Sequence, residues 1–159
     1  MNKKGERPKF ARLKAFIDKE MKKLDKLMEE VENTPFSTSH PRHIGSLLHD
    51  FYTGIERVFE RVATNLDGEI PRGDTWHKDL LDSMNLELED VRPPLIDEYM
   101  HKSLGEYLRF RHLFRSLYGF ELNKKRMRKL YENMQRVYRD FKKQVSDFEQ
   151  FLNKLNEQI

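Results

Sequence analysis

Hydrophobic residues recur along this chain every three or four positions, and lysine, arginine and glutamate fill most of the positions between them. That period is the period of an α-helix with one buried face. No segment alternates apolar and polar residues as a half-buried strand does. The pattern therefore predicts an all-α protein, an up-and-down helical bundle of four long helices and one short helix.

The first half of the chain predicts two long helices. Residues 8–32 form an exposed amphipathic helix that begins near Pro8, and a loop at residues 33–41 follows it. The second helix ends near Leu66, and its broad apolar face predicts a central position in the bundle. The apolar residues of that face are Ile44, Leu47, Leu48, Phe51, Ile55, Val58, Phe59 and Val62.

The second half predicts a short helix, a break at residues 86–94 and two more long helices. Asp74 follows a turn and is suited to cap the short helix. The fourth helix runs from about Pro94 through Leu117 and stops at Gly119, and Asn123 is suited to cap the last one. The short helix presents Trp76, Leu80, Leu81 and Met84. The last helix carries a heptad-like seam of Met127, Leu130, Met134, Val137, Phe141, Val145, Phe148, Leu152 and Leu155.

Length and composition narrow the class of protein. A chain of 159 residues with a hydrophobic fraction of 37% suits a single domain over residues 1–159. Lysine and arginine number 30 against 27 acidic residues, and this balance is compatible with RNA without demanding it. The absence of cysteine excludes disulfides and thiolate metal sites, and no apolar run approaches the roughly 20 residues of a membrane span. We expect a cytoplasmic protein with no metal, no other cofactor and no membrane partner.

The fourth helix places charge where a buried apolar side chain is expected. Counting back from Tyr118 by threes and fours gives a stripe that is interrupted only by Arg111; its other members are Phe114, Tyr107, Leu104 and Met100. A guanidinium does not lose its charge, so an inward-facing one needs a carboxylate, a phosphate or a comparable acceptor. Arg111 therefore marks a candidate site, and His112 and Arg115 lie beside it on the helix.

The same helix has a second apolar side, made of Phe110, Leu113 and Leu117. One side can pack on the protein's own bundle while the other meets a second copy. We therefore expect a symmetric homodimer whose interface runs along this helix, with the Arg111 cluster in a cleft between the subunits. The alternative is a central helix that is buried all round.

Three blocks of sequence resemble a known family. The run from Tyr107 to Leu122, YLRFRHLFRSLYGFEL, is similar to the motif helix of the HepT-like ribonuclease toxins of the HEPN superfamily. Residues 48–59 and 71–81 are similar to other blocks of the same branch. The resemblance implies a dimeric helical bundle, the toxin of a toxin–antitoxin pair whose antitoxin is a nucleotidyltransferase. It also implies metal-independent cleavage of an RNA substrate by transesterification through the ribose 2′-hydroxyl.

The catalytic motif of that family is Arg, a polar residue, a spacer, His, one residue and Tyr. Arg111 matches the arginine, His112 the polar residue and Tyr118 the tyrosine, but Ser116 occupies the position of the histidine. Serine cannot take the 2′-hydroxyl proton at neutral pH. The nearest substitute is His112, one helical turn earlier, although it can equally be a structural hydrogen-bond partner.

Two functions therefore stay open. The first is an endoribonuclease with a site of Arg111, His112 and Arg115, in which arginine stabilises charge on the phosphate. The second is a catalytically inactive helical adaptor that binds the nucleotidyltransferase. The family's antitoxin attaches AMP groups to the motif tyrosine, so the resemblance also makes Tyr118 a candidate for AMPylation. The alternative is that its ring only closes the helix.

Other side chains are candidates for a supporting role. His49, Tyr52 and Glu56 share one side of the second helix and can face the Arg111 cluster, with a Glu56 salt bridge as the structural alternative. His77 is a further supporting candidate, although its spacing from Arg72 matches the motif only by coincidence. The basic run at residues 124–129 can steer a polyanion or can simply be a solvated helix face.

Overall fold

The computed structural model describes residues 3–116 and 123–158. Within these ranges the predicted all-α bundle of four long helices and one short helix is confirmed. The described part of the chain shows a single isolated β-bridge, between Leu88 and Arg92. The helices are α1 (Lys3–Glu32), α2 (Pro41–Val62), α3 (Trp76–Met84), α4 (Glu98–Ser116) and α5 (Lys124–Glu157).

The central helix is α2, which packs against each of the other four. It begins at Pro41, where a missing N–H costs no hydrogen bond, and the Arg42 N–H donates to His40 Nδ1 at 3.1 Å. After α2 the backbone widens into a π-helical turn, Ala63–Asp67. Gly68 ends this turn at φ 91°, in the left-handed region that favours glycine. The predicted central position is thus confirmed, and the predicted end near Leu66 lies in the π-helical turn that follows α2.

The two longest helices, α1 and α5, pack against α2 and against each other. Most residues of the predicted seam of α5 are buried in the hydrophobic core, and its partly buried members are Leu130 and Leu155. Tyr131 and Tyr138 extend this buried face, and their hydroxyls donate to main-chain carbonyl oxygens of α1. The outward faces of these helices are charged, and in the described ranges no helix is apolar over a length that could cross a membrane.

Two predicted helix starts were wrong. The first helix begins at Lys3 rather than near Pro8, so the proline lies inside it. The proline is the sixth residue, where it removes a single hydrogen bond near an end that is already short of partners. The fourth helix begins at Glu98 rather than near Pro94, because Asp97 supplies the cap: its Oδ1 accepts the Met100 N–H at 2.7 Å.

Predictions at other helix ends had mixed outcomes. The N-cap position of α3 is Thr75, not Asp74, and the Thr75 hydroxyl donates to Asp79 Oδ2 at 2.9 Å instead of capping the backbone. The predicted cap at Asn123 is confirmed, since its Oδ1 accepts the Lys125 N–H at 2.9 Å. The predicted stop of the fourth helix, at residues 117–119, lies outside the described residues.

A buried arginine fastens the segment between α3 and α4 to the π-helical turn. The side chain of Arg92 is fully buried and makes a bidentate ion pair with Asp67, at 2.7 and 2.9 Å. The same guanidinium donates to the carbonyl oxygens of Ser83, Leu86 and Pro93. With its donors occupied in this way, Arg92 orders a segment that has little secondary structure of its own and sets where α4 begins.

Candidate functional site

Arg111 faces inward from α4 and is 2% exposed. Its Nη2 lies 2.9 Å from Glu56 Oε2, and its Nη1 lies 3.4 Å from Thr53 Oγ1. The guanidinium carbon lies 4.8 Å from the centre of the Tyr52 ring. These three partners lie on one side of α2, because positions three and four apart share a helical face. The acceptor that Arg111 needs is therefore a carboxylate of the same chain.

His77, from α3, completes this cluster. Its Nδ1 lies 2.9 Å from Glu56 Oε2 and 2.8 Å from Arg111 Nη2. The neighbouring Trp76 ring lies against the imidazole, with ring centres 3.6 Å apart. The structure therefore brings together Arg111 and three of the four supporting candidates, from three different helices.

The charge of the Glu56 carboxylate helps to raise the pKa of two neighbouring side chains. The pKa of Tyr52 is raised far above its usual range, first by burial and then by the Glu56 charge, against a smaller opposing effect of Arg111. The pKa of Glu60 is raised by burial and then by the same carboxylate. Tyr52 is thus a neutral phenol at physiological pH, and its hydroxyl has no hydrogen-bond partner among the described residues.

A cleft of about 750 Å³ opens beside this cluster, between α3 and α4. It is rich in cations and imidazoles, and these side chains are accompanied by the carboxylates of Asp74, Asp82 and Glu106. The cations that line it are Lys78, Lys102, Arg109, Arg111 and Arg115, and the imidazoles are His77, His101 and His112. Its five cations exceed its three carboxylates, so the lining carries a net positive charge that can attract a phosphate.

Arg115 and His112 form the open part of the site, since both are exposed. Arg115 Nε donates toward His49 Nε2 at 3.4 Å. His49 in turn lies 3.3 Å from Asp50 and packs its ring near Phe114. Among the described residues, the fourth supporting candidate, His49, therefore contacts Arg115 rather than Arg111.

The lining also contains a pair that the sequence analysis missed. His101 Nε2 lies 2.6 Å from Asp82 Oδ1. Burial pulls the pKa of Asp82 upward, but hydrogen bonds from His101 and Lys78 outweigh burial and lower it. A signal was present, because His101, Gly105, Leu108 and His112 follow one another at helical spacing and share one face of α4.

Two motif positions lie at or beyond the edge of the described residues. Ser116 is the last residue of α4, and its side chain is not described; Tyr118 lies outside the described ranges. Among the described residues, no group of three or more histidine or acidic side chains is arranged to hold a metal ion. What the described site offers is guanidinium, ammonium, imidazole and carboxylate chemistry.

The basic run at residues 124–129 lies away from this cleft. Lys124 and Arg128 stand over the ring of Phe36, in the loop between α1 and α2, at 4.9 and 5.1 Å. Lys124 also donates to the Ser37 carbonyl oxygen at 3.3 Å. These contacts fix part of the run to the loop, and whether it steers a polyanion stays a prediction.

Comparison with known proteins gives one match. Residues 43–152 match the model of a family described as HepT-like protein. No curated protein and no solved structure matches the chain. The matched range contains most of α2, all of α3 and α4 and most of α5, and therefore every described residue of the site.

Proposed function

The chain belongs to the HepT-like family of the HEPN superfamily, and from this premise we propose that it is a metal-independent endoribonuclease of a toxin–antitoxin pair. Membership itself indicates, at a coarse level, a ribonuclease-type protein of such a pair. The finer proposal concerns which groups bind and cut RNA. They are the side chains that line the cleft between α3 and α4.

The observation that carries the proposal is the placement of exposed cations and imidazoles directly beside the buried motif arginine. A phosphodiester in the cleft meets the exposed guanidinium groups of Arg109 and Arg115. Their N–H groups stabilise the charge that grows on the phosphate oxygens during reaction. The ribose 2′-oxygen attacks the adjacent phosphorus and the bond to the 5′-oxygen breaks, which leaves a 2′,3′-cyclic phosphate and a 5′-hydroxyl.

Arg111 has a different role in this proposal. Its charge is neutralised by Glu56 and its side chain is 3% exposed, so Arg111 offers little surface to a phosphate. It orients the groups around it, and the phosphate contacts fall to Arg115, one helical turn further on.

Ser116 cannot serve as a base, so the 2′-hydroxyl proton goes to an imidazole of the cleft. His112 on the motif itself and His77 beside Arg111 are the candidates.

We also propose the assembly that the family implies. Two copies, each a single domain over residues 1–159, pair along α4, where Tyr99 and Leu113 are exposed apolar side chains. A nucleotidyltransferase antitoxin of the same pair attaches AMP to Tyr118. Support comes from the family match.

RNA cleavage in excess EDTA tests the proposed function. Wild type is compared with the double variant Arg115→Ala/His112→Ala, whose two side chains are exposed and therefore matter little for folding. We expect the double variant to cut a mixed-sequence RNA about 10²- to 10³-fold more slowly. Equal activity of the two proteins, purified in the same way, would remove the cleft from consideration as a nuclease site.

Two observations favour a second function. The motif arginine is neutralised by Glu56, and the usual histidine position holds Ser116. A protein with these features can serve as an inactive helical adaptor that binds the nucleotidyltransferase. For that function we expect binding to the nucleotidyltransferase by wild type and double variant alike, with no RNA cleavage by either.

A further inference from the structure

The imidazole of His77 is held by its neighbours on one edge and one face. Its Nδ1 lies 2.9 Å from Glu56 and 2.8 Å from Arg111, both of which are buried. The Trp76 ring covers part of one face. Even so, the side chain is 29% exposed and lines the cleft. Since Nδ1 is engaged with buried groups, the exposed edge of the ring is the one that carries Nε2.

Resting on the ribonuclease function above, we propose that His77 is the general base of RNA cleavage and that its Nε2 takes the proton of the ribose 2′-hydroxyl. It supplies from α3 the base that Ser116 does not supply from α4. Among the described residues, Nε2 has no hydrogen-bond partner, so it is available to a substrate. Glu56 and Arg111 act as positioning residues.

The contact of Nδ1 with Glu56 fits this role, whereas the contact with Arg111 favours the opposite tautomer. Nδ1 cannot donate to Glu56 and accept from Arg111 at the same time. With the hydrogen on Nδ1, the ring donates to Glu56 and presents a bare Nε2 to the cleft, which is the form that a base needs. Once Nε2 has taken a proton, the Glu56 carboxylate 2.9 Å from Nδ1 attracts the new positive charge, and the Arg111 guanidinium 2.8 Å from the same atom repels it.

The position of His77 relative to the phosphate contacts also fits. Its ring touches Arg111, and Arg115 follows Arg111 by one turn on the same helix, about 6 Å away along the axis. A phosphate held by Arg115 therefore lies within one nucleotide of His77. In the step, the 2′-hydroxyl proton moves to Nε2 and the 2′-oxygen bonds to phosphorus. The 5′-oxygen leaves with the bonding electron pair and takes a proton from solvent water.

The pH dependence of cleavage tests this assignment. Initial rates on a mixed-sequence oligoribonucleotide are measured from about pH 5 to pH 9 for wild type, His77→Asn and His112→Asn. An asparagine amide can take the place of Nδ1–H beside Glu56, but nothing replaces Nε2. We expect His77→Asn to lose about 10²- to 10⁴-fold in rate together with the acidic limb of the profile. His112→Asn is expected to keep that limb.

The control is His43→Asn, because His43 is an exposed imidazole that contacts Glu30, outside the cleft. Its rate and pH profile should match those of wild type. A second variant, His77→Ala, should regain activity when free imidazole is added, a rescue that a purely structural histidine would not show. This rescue also decides the case if His77→Asn folds poorly.

Each contrary result has a distinct meaning. If His77→Asn keeps the acidic limb, or if His112→Asn loses it, His77 is not the base although the ribonuclease function stands. A folded His77→Ala protein that imidazole does not rescue overturns the assignment as well. If wild type cuts RNA no faster than Arg115→Ala/His112→Ala, the cleft is not a nuclease site, and both the proposed function of the cleft and the assignment of His77 fail.

Discussion

Arg111 shows how one buried charge organises a site. The helical stripe of α4 predicts that it faces inward, and it does. The sequence left its partner open between a phosphate and Glu56, and the described structure supplies Glu56 at 2.9 Å. With its charge neutralised by Glu56, Arg111 holds the cluster together; in the proposed function, the phosphate contacts fall to exposed arginines nearby.

We predict that Arg111→Ala destabilises the protein by about 3 to 5 kcal/mol, because it leaves the buried Glu56 carboxylate without its cation. Adding Glu56→Gln to that variant should recover part of the loss, since a buried amide costs less than an unpaired charge. Urea unfolding measures both effects. Arg109→Ala is the control: it removes an exposed arginine of the same helix and should change stability by less than about 0.5 kcal/mol. A similar small change for Arg111→Ala would contradict the structural role given to the ion pair.

The sequence identifies residues that share one face of a helix, but it does not show contacts that depend on how two helices cross. Glu56 was a candidate because it shares a helical face with Tyr52. The role of His77 was underestimated, because its contact with Arg111 depends on how α3 crosses α2 and α4, and no helical period encodes that crossing. His101 was missed although its spacing from His112 puts both on one face of α4.

At the scale of helices, hydrophobic periodicity predicts the five elements and their buried faces, because each helix must bury one stripe. The ends were less predictable. Asp97 and Thr75 occupy cap positions that Pro94 and Asp74 were expected to mark. A cap depends on local backbone geometry, and several polar residues near a helix start can provide it.

The contact between α1 and α5 contains a pair of acids. Glu149 of α5 shares a hydrogen bond with Asp18 of α1, and its pKa is raised from 4.5 to about 7. Burial is the largest cause, followed by the hydrogen bond and charge of Asp18, while Lys14 acts in the opposite direction. Between about pH 4.5 and pH 7, Glu149 therefore stays protonated in the folded protein but is ionised in the unfolded chain.

From this we predict a pH-dependent loss of stability. The contribution of Glu149 is fully present below about pH 4.5 and is lost as the pH rises through about 7, because the raised pKa favours the protonated folded state. Glu149→Gln removes this titration. The melting temperature of Glu149→Gln minus that of wild type should therefore increase from pH 4.5 to pH 8.

The matched control for this titration is Glu132→Gln, an exposed glutamate on the same helix. Its difference from wild type should stay nearly constant over the same pH range. A constant difference for Glu149→Gln as well would show that the proton shared with Asp18 does not affect folding.

At the scale of the whole molecule, the cleft and the exposed apolar side chains of α4 lie on the same helix. A dimer formed along α4 would place two clefts close together, and a longer stretch of RNA could then contact both. The sequence alone led to this expectation from the two apolar sides of the helix.

Light scattering tests this assembly. Wild type should have twice the mass of one chain, and Leu113→Glu should have the mass of a single chain, because a carboxylate at an apolar interface is costly. Leu86→Glu is the control, since Leu86 is exposed in the segment before α4. It should leave the dimer intact. A single-chain mass for wild type at the highest attainable concentration would contradict the proposed interface.

In the proposed function, the cleft between α3 and α4 cuts RNA through the ribose 2′-hydroxyl without a metal ion. Mass spectrometry of the RNA fragments produced in excess EDTA tests this activity. We predict 2′,3′-cyclic phosphate and 5′-hydroxyl ends from wild type, and a large loss of these products with Arg115→Ala/His112→Ala. Fragments with 5′-phosphate ends, or the same yield of cyclic phosphate from both proteins, would contradict the claim.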